Sequence, residues 1–139
     1  MPLEPPSPET RRRMVGQRRI DTGPELELRR RLHAEGLRFR VHRKLLPGSR
    51  RTVDIVFGPA RVAVDVRGCF WHGCPEHFAL PKNNQAWWLA KIEANRRRDA
   101  ATVDELRAAG WQVIVVWEHE DAATASERII RDVKARRHG

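Results

Sequence analysis

Two sets of side chains in this chain have the types and spacing of metal chemistry. Cys69, Cys74 and His77 follow the pattern Cys-x4-Cys-x2-His, and His119 stands directly after Trp117-Glu118. Two thiolates and two imidazoles suit tetrahedral Zn²⁺, and four protein ligands leave no open position, so such a zinc would be structural. His72 is a rival fourth ligand that would leave His119 free, or it is a base. The alternative for the whole set is two buried thiols and two surface imidazoles. The second set is made of hard oxygens. Asp54 stands inside the apolar run Thr52-Val53-Asp54-Ile55-Val56-Phe57. A charge there costs several kcal/mol unless it is paired or holds a metal. Period 2 puts Ala63, Asp65 and Arg67 on one face of the next run, within reach of Asp54 if the two runs form a hairpin. Mg²⁺ on such oxygens, completed by a backbone carbonyl such as that of Val66, suits phosphodiester hydrolysis, which needs an activated water and neutralised charge. An ion pair of Arg67 with Asp54 or Asp65 is the structural alternative.

The elements that must position these groups are legible in the pattern. Asp21-Thr22-Gly23-Pro24-Glu25 reads as a helix start, with the helix running to Ala34 and stopping at Gly36. Leu28 and Leu32 share its buried face, and Glu25 turns toward the same side. Three strands follow, over Leu37 to Val41, Thr52 to Phe57 and Arg61 to Val66, the last two joined by a tight turn at Gly58-Pro59. Cys69 to Asn84 has neither period and reads as a pinned loop. Gln85 to Ala109 is a long helix with Trp88, Ile92, Asn95, Asp99 and Leu106 along one side. Gln112 to Trp117 is a nearly continuous apolar run of the kind found in a sheet interior. Ala122 to Arg137 closes the chain as a helix. The expected fold class is α/β, a small central mixed sheet flanked by helices.

The whole composition narrows the partners. The chain has 139 residues, which favours one domain, and a net charge of +9. Of 27 basic residues 23 are Arg, whose planar forks suit phosphates and base edges. A codon preference for Arg is the alternative to a polyanion partner. Arg11, Arg12, Arg13, Arg18 and Arg19 follow a Pro-rich leader and form a basic arm over residues 1–20, able to lie along a DNA backbone or to be a solvated helix. Two Cys make no disulfide scaffold, no apolar run spans a bilayer, and a cytoplasmic setting without membrane contact is expected. Phe70, Trp71 and one of Trp87 and Trp88 are aromatic rings that either stack on bases or belong to the core.

At this point the chain resembles the very-short-patch-repair (Vsr) DNA mismatch endonucleases, over about residues 11 to 120. The landmarks are Asp21-Thr22-x-x-Glu25, Leu46-Pro47-Gly48 leading to Asp54, and Gly68-Cys69-Phe70-Trp71-His72-Gly73-Cys74-Pro75. Trp88-x-x-Lys91-Ile92, Asn95-x-x-Arg98-Asp99, Gly110-Trp111 and Trp117-Glu118-His119 follow in order. The resemblance implies a restriction-endonuclease-like core with a structural zinc, as one endonuclease domain over residues 21–139. It implies Mg²⁺-dependent nicking of one strand of duplex DNA, 5′ of the T in T:G mismatches left by 5-methylcytosine deamination. Asp54 then corresponds to the metal carboxylate, the Val66 carbonyl to a backbone ligand, His72 to the base and Glu25 to its acidic helper. Phe70, Trp71 and Trp88 correspond to the rings that enter the DNA, and the basic arm to the segment that clasps it. Zinc falls to Cys69, Cys74, His77 and His119. A monomer associated with the nucleoid is expected, with mismatch-repair proteins and a cytosine methyltransferase as candidate partners. Two alternatives are a nuclease of this fold without a mismatch requirement and a zinc-stabilised DNA-binding module without catalysis.

Overall fold

The computed structural model of the chain describes residues 23–69, 74 and 82–138. The elements run α1 (Gly23–Ala34), β1 (Arg40–Arg43), β2 (Val53–Phe57), β3 (Val62–Arg67), α2 (Gln85–Ala108), β4 (Gln112–Trp117) and α3 (Ala122–His138). The four strands form one sheet in the order β1-β2-β3-β4. The first two pairings are antiparallel and β3 pairs with β4 in parallel, so the sheet is mixed as expected.

Helix α1 ends where the glycine signal places it. Gly36 has φ +80°, and Gly36 and Leu37 donate their N–H groups to the carbonyls of His33 and Leu32 at 2.9 and 3.2 Å. That double bond closes the helix with a left-handed residue, and Leu37 folds back onto Leu32 in the core. At the other end of the chain Asp121 caps α3, accepting the Thr124 N–H and hydroxyl at 3.0 Å each. These two bonds hold the Asp121 carboxyl below its usual range.

One face of the sheet is covered by α1 and α3. Leu28, Leu32, Ile55, Val64, Val116 and Ile129 belong to that buried cluster. The other face carries Val53, Val56 and Ala63 against Leu106 of α2, with Trp111 and Val113 partly buried beside them. Each fully buried aliphatic side chain stabilises the fold by about 1.5–3 kcal/mol. Strand β4 lies at the end of the sheet, not in its interior. Its apolar run follows instead from cover on both faces, with Ile114 and Val116 on one side and Val113 on the other. Strand β1 starts three residues later than Leu37, because Leu37 is spent on the α1 cap.

Candidate metal centre and catalytic carboxylates

The tight turn between β2 and β3 sets their register. Phe57 pairs with Val62, Val56 with Ala63 and Ile55 with Val64. Continuing that register places Asp54 opposite Asp65. On the other side β1 pairs Val41 with Ile55 and Arg43 with Val53, so His42 falls opposite Asp54. One row across the sheet therefore reads His42, Asp54, Asp65. Glu25 reaches the same place from α1 and is 1% exposed, on the side of Leu28 and Leu32 as its position in the helix predicts.

The geometry around Asp54 is tight. The Val66 N–H donates to Oδ2 of Asp54 at 2.7 Å. His42 Nδ1 lies 3.8 Å from Oδ1, and His42 Nε2 lies 3.2 Å from Glu25 Oε2. Arg29 pairs with Glu25 and places its Nη2 2.8 Å from His42 Nε2. Ligand atoms of Glu25, His42 and Asp54 all lie within 4.8 Å of one another. Asp54 is 7% exposed. Burial pushes its carboxyl up to about 8, and the facing charges of Asp65 and Glu25 add to that, against the Val66 N–H, which favours the ionised form. Asp65 is in turn paired with Arg67 at 2.9 Å, so the ion pair weighed as an alternative exists beside the carboxylate cluster.

A hard divalent cation fits this donor set. Buried carboxylates facing each other repel when ionised, and a cation of charge two removes both the repulsion and the desolvation cost. The amide N–H of Val66 is the atom placed on Asp54. His42 is the site residue that the pattern of apolar and polar residues missed. Its signal was the cross-strand register, which a sequence with a long β1–β2 connection does not display.

The second cluster forms where β3 and β4 end side by side. Arg67 pairs with Trp117 in the parallel register, so Cys69 and His119 leave adjacent strand ends. His119 Nδ1 lies 3.3 Å from Cys69 Sγ and 3.4 Å from Cys74 Sγ. Those separations are near the edge of a tetrahedron with zinc–sulfur and zinc–nitrogen bonds, about 3.5 Å. The Cys69 N–H donates to Glu118 Oε1 at 3.0 Å and the Cys74 N–H to the Cys69 carbonyl at 2.9 Å, which fixes the loop at both thiols. Burial, with the Cys74 thiol beside it, pushes the Cys69 thiol up to about 11. A thiol pair held this way gains from a soft cation that takes over both sulfurs. Three of the four expected zinc ligands are thus together. His77 lies outside the described residues, as do His72, Phe70, Trp71 and Arg11, Arg12, Arg13, Arg18 and Arg19.

Trp88 departs from the expectation of a ring presented to DNA. It is 1% exposed and meets Trp87 edge-on, with ring centroids 4.9 Å apart. Helical spacing puts it on the side of Ile92, Asp99 and Leu106, all buried, so in the free protein Trp88 is a core residue. Asp99 on that side pairs with Arg51 at 2.8 Å.

Comparison with known proteins places the chain in a family. The model of the family described as DNA mismatch endonuclease Vsr matches residues 7–77. The type II nicking enzyme V.XorIIP of Xanthomonas oryzae is 49% identical over 116 residues, covering 82% of this chain and 83% of that protein. V.NaeI of Lentzea aerocolonigenes, also a type II nicking enzyme, is 38% identical over 92% of this chain and 78% of its own length. The DNA mismatch endonuclease Vsr of Escherichia coli is 37% identical over 70% of this chain and 62% of its own length. The chain belongs to the Vsr family of DNA mismatch endonucleases, and it is a DNA-acting endonuclease.

Proposed function

We propose that the chain nicks one strand of duplex DNA on the 5′ side of the T in a T:G mismatch, with Mg²⁺ at Asp54 and structural Zn²⁺ at Cys69, Cys74, His77 and His119. The observation that carries the reading is the row of Asp54 and Asp65 on neighbouring strands, with Asp54 buried and pushed up to about 8. A nuclease uses such a buried carboxylate to hold a hard cation against a phosphate. When bound, Mg²⁺ supplies charge neutralisation at the scissile phosphate. Asp54 and the Val66 carbonyl would hold it, while the Val66 N–H keeps the Asp54 carboxylate oriented. His72 takes the proton of the attacking water and Glu25 supports that end of the site. Water attacks phosphorus and the 3′ oxygen leaves, giving a 5′-phosphate and a 3′-hydroxyl. Within a restriction-endonuclease-like core, the sheet fixes these groups and the DNA lies across its carboxylate end.

Affinity comes from charge. The net charge is +9, and a hollow of about 530 Å³ beside β1 is lined by Arg38, Arg40, Arg43 and Lys44. Such a surface suits phosphates, and the arm bearing Arg11 to Arg13 and Arg18 to Arg19 adds to it. With Trp88 in the core, Phe70 and Trp71 are the rings assigned to insertion beside the mismatch. Mismatch-repair proteins and a cytosine methyltransferase fit the same repair step as partners. No helix among the described residues is long and apolar enough to cross a membrane.

Single-turnover nicking of end-labelled T:G and T:A duplexes in varied flanking sequence, with Mg²⁺, tests the reading. Cleavage confined to the T strand of T:G duplexes is expected. Equal nicking of T:A duplexes would make the chain a nuclease without a mismatch requirement, and no nicking of any duplex would leave a DNA-binding module.

A further inference from the structure

We propose that His42 is a positioning residue for the catalytic carboxylate, with a ring proton on Nδ1 aimed at Asp54. The inference rests on Asp54 being the cation-holding group. Three observations meet at this ring. The first is the backbone: His42 has φ 51° inside β1, a left-handed conformation uncommon for residues other than glycine and foreign to a strand. Such an outlier persists where the surroundings over-determine it and is a mark of functional sites. The second is register. The pairs on either side, Val41 with Ile55 and Arg43 with Val53, put His42 directly across from Asp54.

The third observation fixes the tautomer. Arg29 Nη2 lies 2.8 Å from His42 Nε2. A guanidinium has donors and no acceptor, so Nε2 must present its lone pair there. The two hydrogens of Nη2 then serve Glu25 and His42, whose Oε2 and Nε2 lie 3.2 Å apart beside it. The ring N–H is left on Nδ1, which faces Asp54 Oδ1 at 3.8 Å. A shift of about 1 Å makes that a hydrogen bond, and catalytic contacts commonly tighten on loading. Asp54 would then be held on both oxygens, Oδ2 by the Val66 N–H and Oδ1 by His42, which would leave its remaining lone pairs for a cation. Glu25 and Arg29 serve as the outer support that sets the ring.

The experiment compares His42→Ala, His42→Gly, His42→Gln and His42→Asn in the full chain with zinc present. Asparagine places an amide N–H near the position of Nδ1 and tolerates φ near 51°; glutamine places its amide further out; glycine relieves the backbone and removes the ring. Binding of Mn²⁺ alone, without DNA, is read by electron paramagnetic resonance. Affinity should fall about 10–100-fold in the Ala, Gly and Gln variants, the usual loss when a group orienting a metal ligand is removed. His42→Asn should recover most of it. In the parent protein, ¹⁵N spectra of the histidine ring should show Nδ1 protonated and Nε2 bare. An Nε2-protonated or doubly protonated ring overturns the proposal, as does an Asn variant as weak as Ala with both folded. Asp54→Asn is the control for the premise: if it binds Mn²⁺ like the parent, Asp54 is not the cation carboxylate. If Asp54→Asn loses the ion and His42→Ala keeps parent affinity, only the role of His42 fails.

Discussion

The carboxylate row and the thiol–imidazole cluster share strand β3, with Asp65 in it and Cys69 just beyond its end, yet they are built in opposite ways. Asp54 and Asp65 are placed by strand register, one step beyond the Ile55–Val64 pair of β2 and β3. Cys69, Cys74 and His119 are placed by a loop and a strand end, after regular pairing stops. The first arrangement keeps its shape with no ion present, and without one it costs free energy, because a buried carboxyl faces other carboxylates. The second stands on a loop and a strand end, held by the Cys69 and Cys74 backbone hydrogen bonds. Chemistry at a phosphate needs a preformed place whose charge is unsatisfied until the cation arrives. A staple needs the reverse: ligands that gain order when the ion binds.

Breaking each side in turn separates the two. Asp54→Asn should lower Mg²⁺-dependent nicking by about 10³-fold or more, the several kcal/mol a held cation contributes. The same variant should melt roughly 2–6 °C higher than the parent in chelator. The sign follows from the carboxyl being raised from 3.8 to about 8: its contribution to stability is present below pH 4 and is lost as pH rises through about 8. An amide escapes that loss. Nicking assays and calorimetry of the metal-free proteins check both halves, and a variant that melts lower than the parent contradicts the second.

Cys74→Ser should act the other way round, lowering the melting temperature by roughly 10 °C or more and releasing zinc. Metal analysis with thermal melts decides it; a variant that keeps its melting point shows that the thiols are not a staple. A smaller effect separates the two clusters by pH. Below pH 8 the half-saturating Mg²⁺ concentration should rise about tenfold per unit, since one proton must leave Asp54 for the ion to bind. Above pH 8 it should level off, while zinc content stays constant. A flat dependence between pH 6 and 8 would place the cation on another group. The smallest effect belongs to Arg67→Met. Without its partner at 2.9 Å, Asp65 bears more heavily on Asp54, and the Mg²⁺ requirement at pH 7 should rise about 2–5-fold. The difference should vanish at pH 9, where Asp54 is ionised in both proteins.

The parts of this that sequence alone displays are those governed by short range. The Gly58-Pro59 turn fixes β2 against β3, so the approach of Asp65 to Asp54 is legible in the sequence. The ends of α2 and β4 follow from Gln85, Gly110 and the apolar run at 112–117. Register between β1 and β2 was hidden, because residues 44–52 connect them and a connection of that length permits many offsets. His42 was hidden with it, since only the offset puts an ordinary strand histidine across from Asp54. The burial of Trp88 is hard to read for a different reason. Trp87 and Trp88 are equally apolar, and which of two adjacent rings turns inward depends on how α2 is rotated against the sheet. The row of Ile92, Asp99 and Leu106 contained that answer, and it pointed to the core.

The parallel pairing of β3 with β4 also orders events in time. Strands β1, β2 and β3 meet through connections of modest length, and hairpins of this kind close in microseconds. Val62 meets Gln112 only after some fifty residues, including all of α2, have been gathered in. Closure over that span has the larger entropic cost and comes late. His119 follows β4, so a nascent chain holds Cys69 and Cys74 long before it can offer His119. The carboxylates are therefore assembled while the thiol pair still lacks its third donor, and completion of the thiol–imidazole cluster marks the last strand locking onto the sheet.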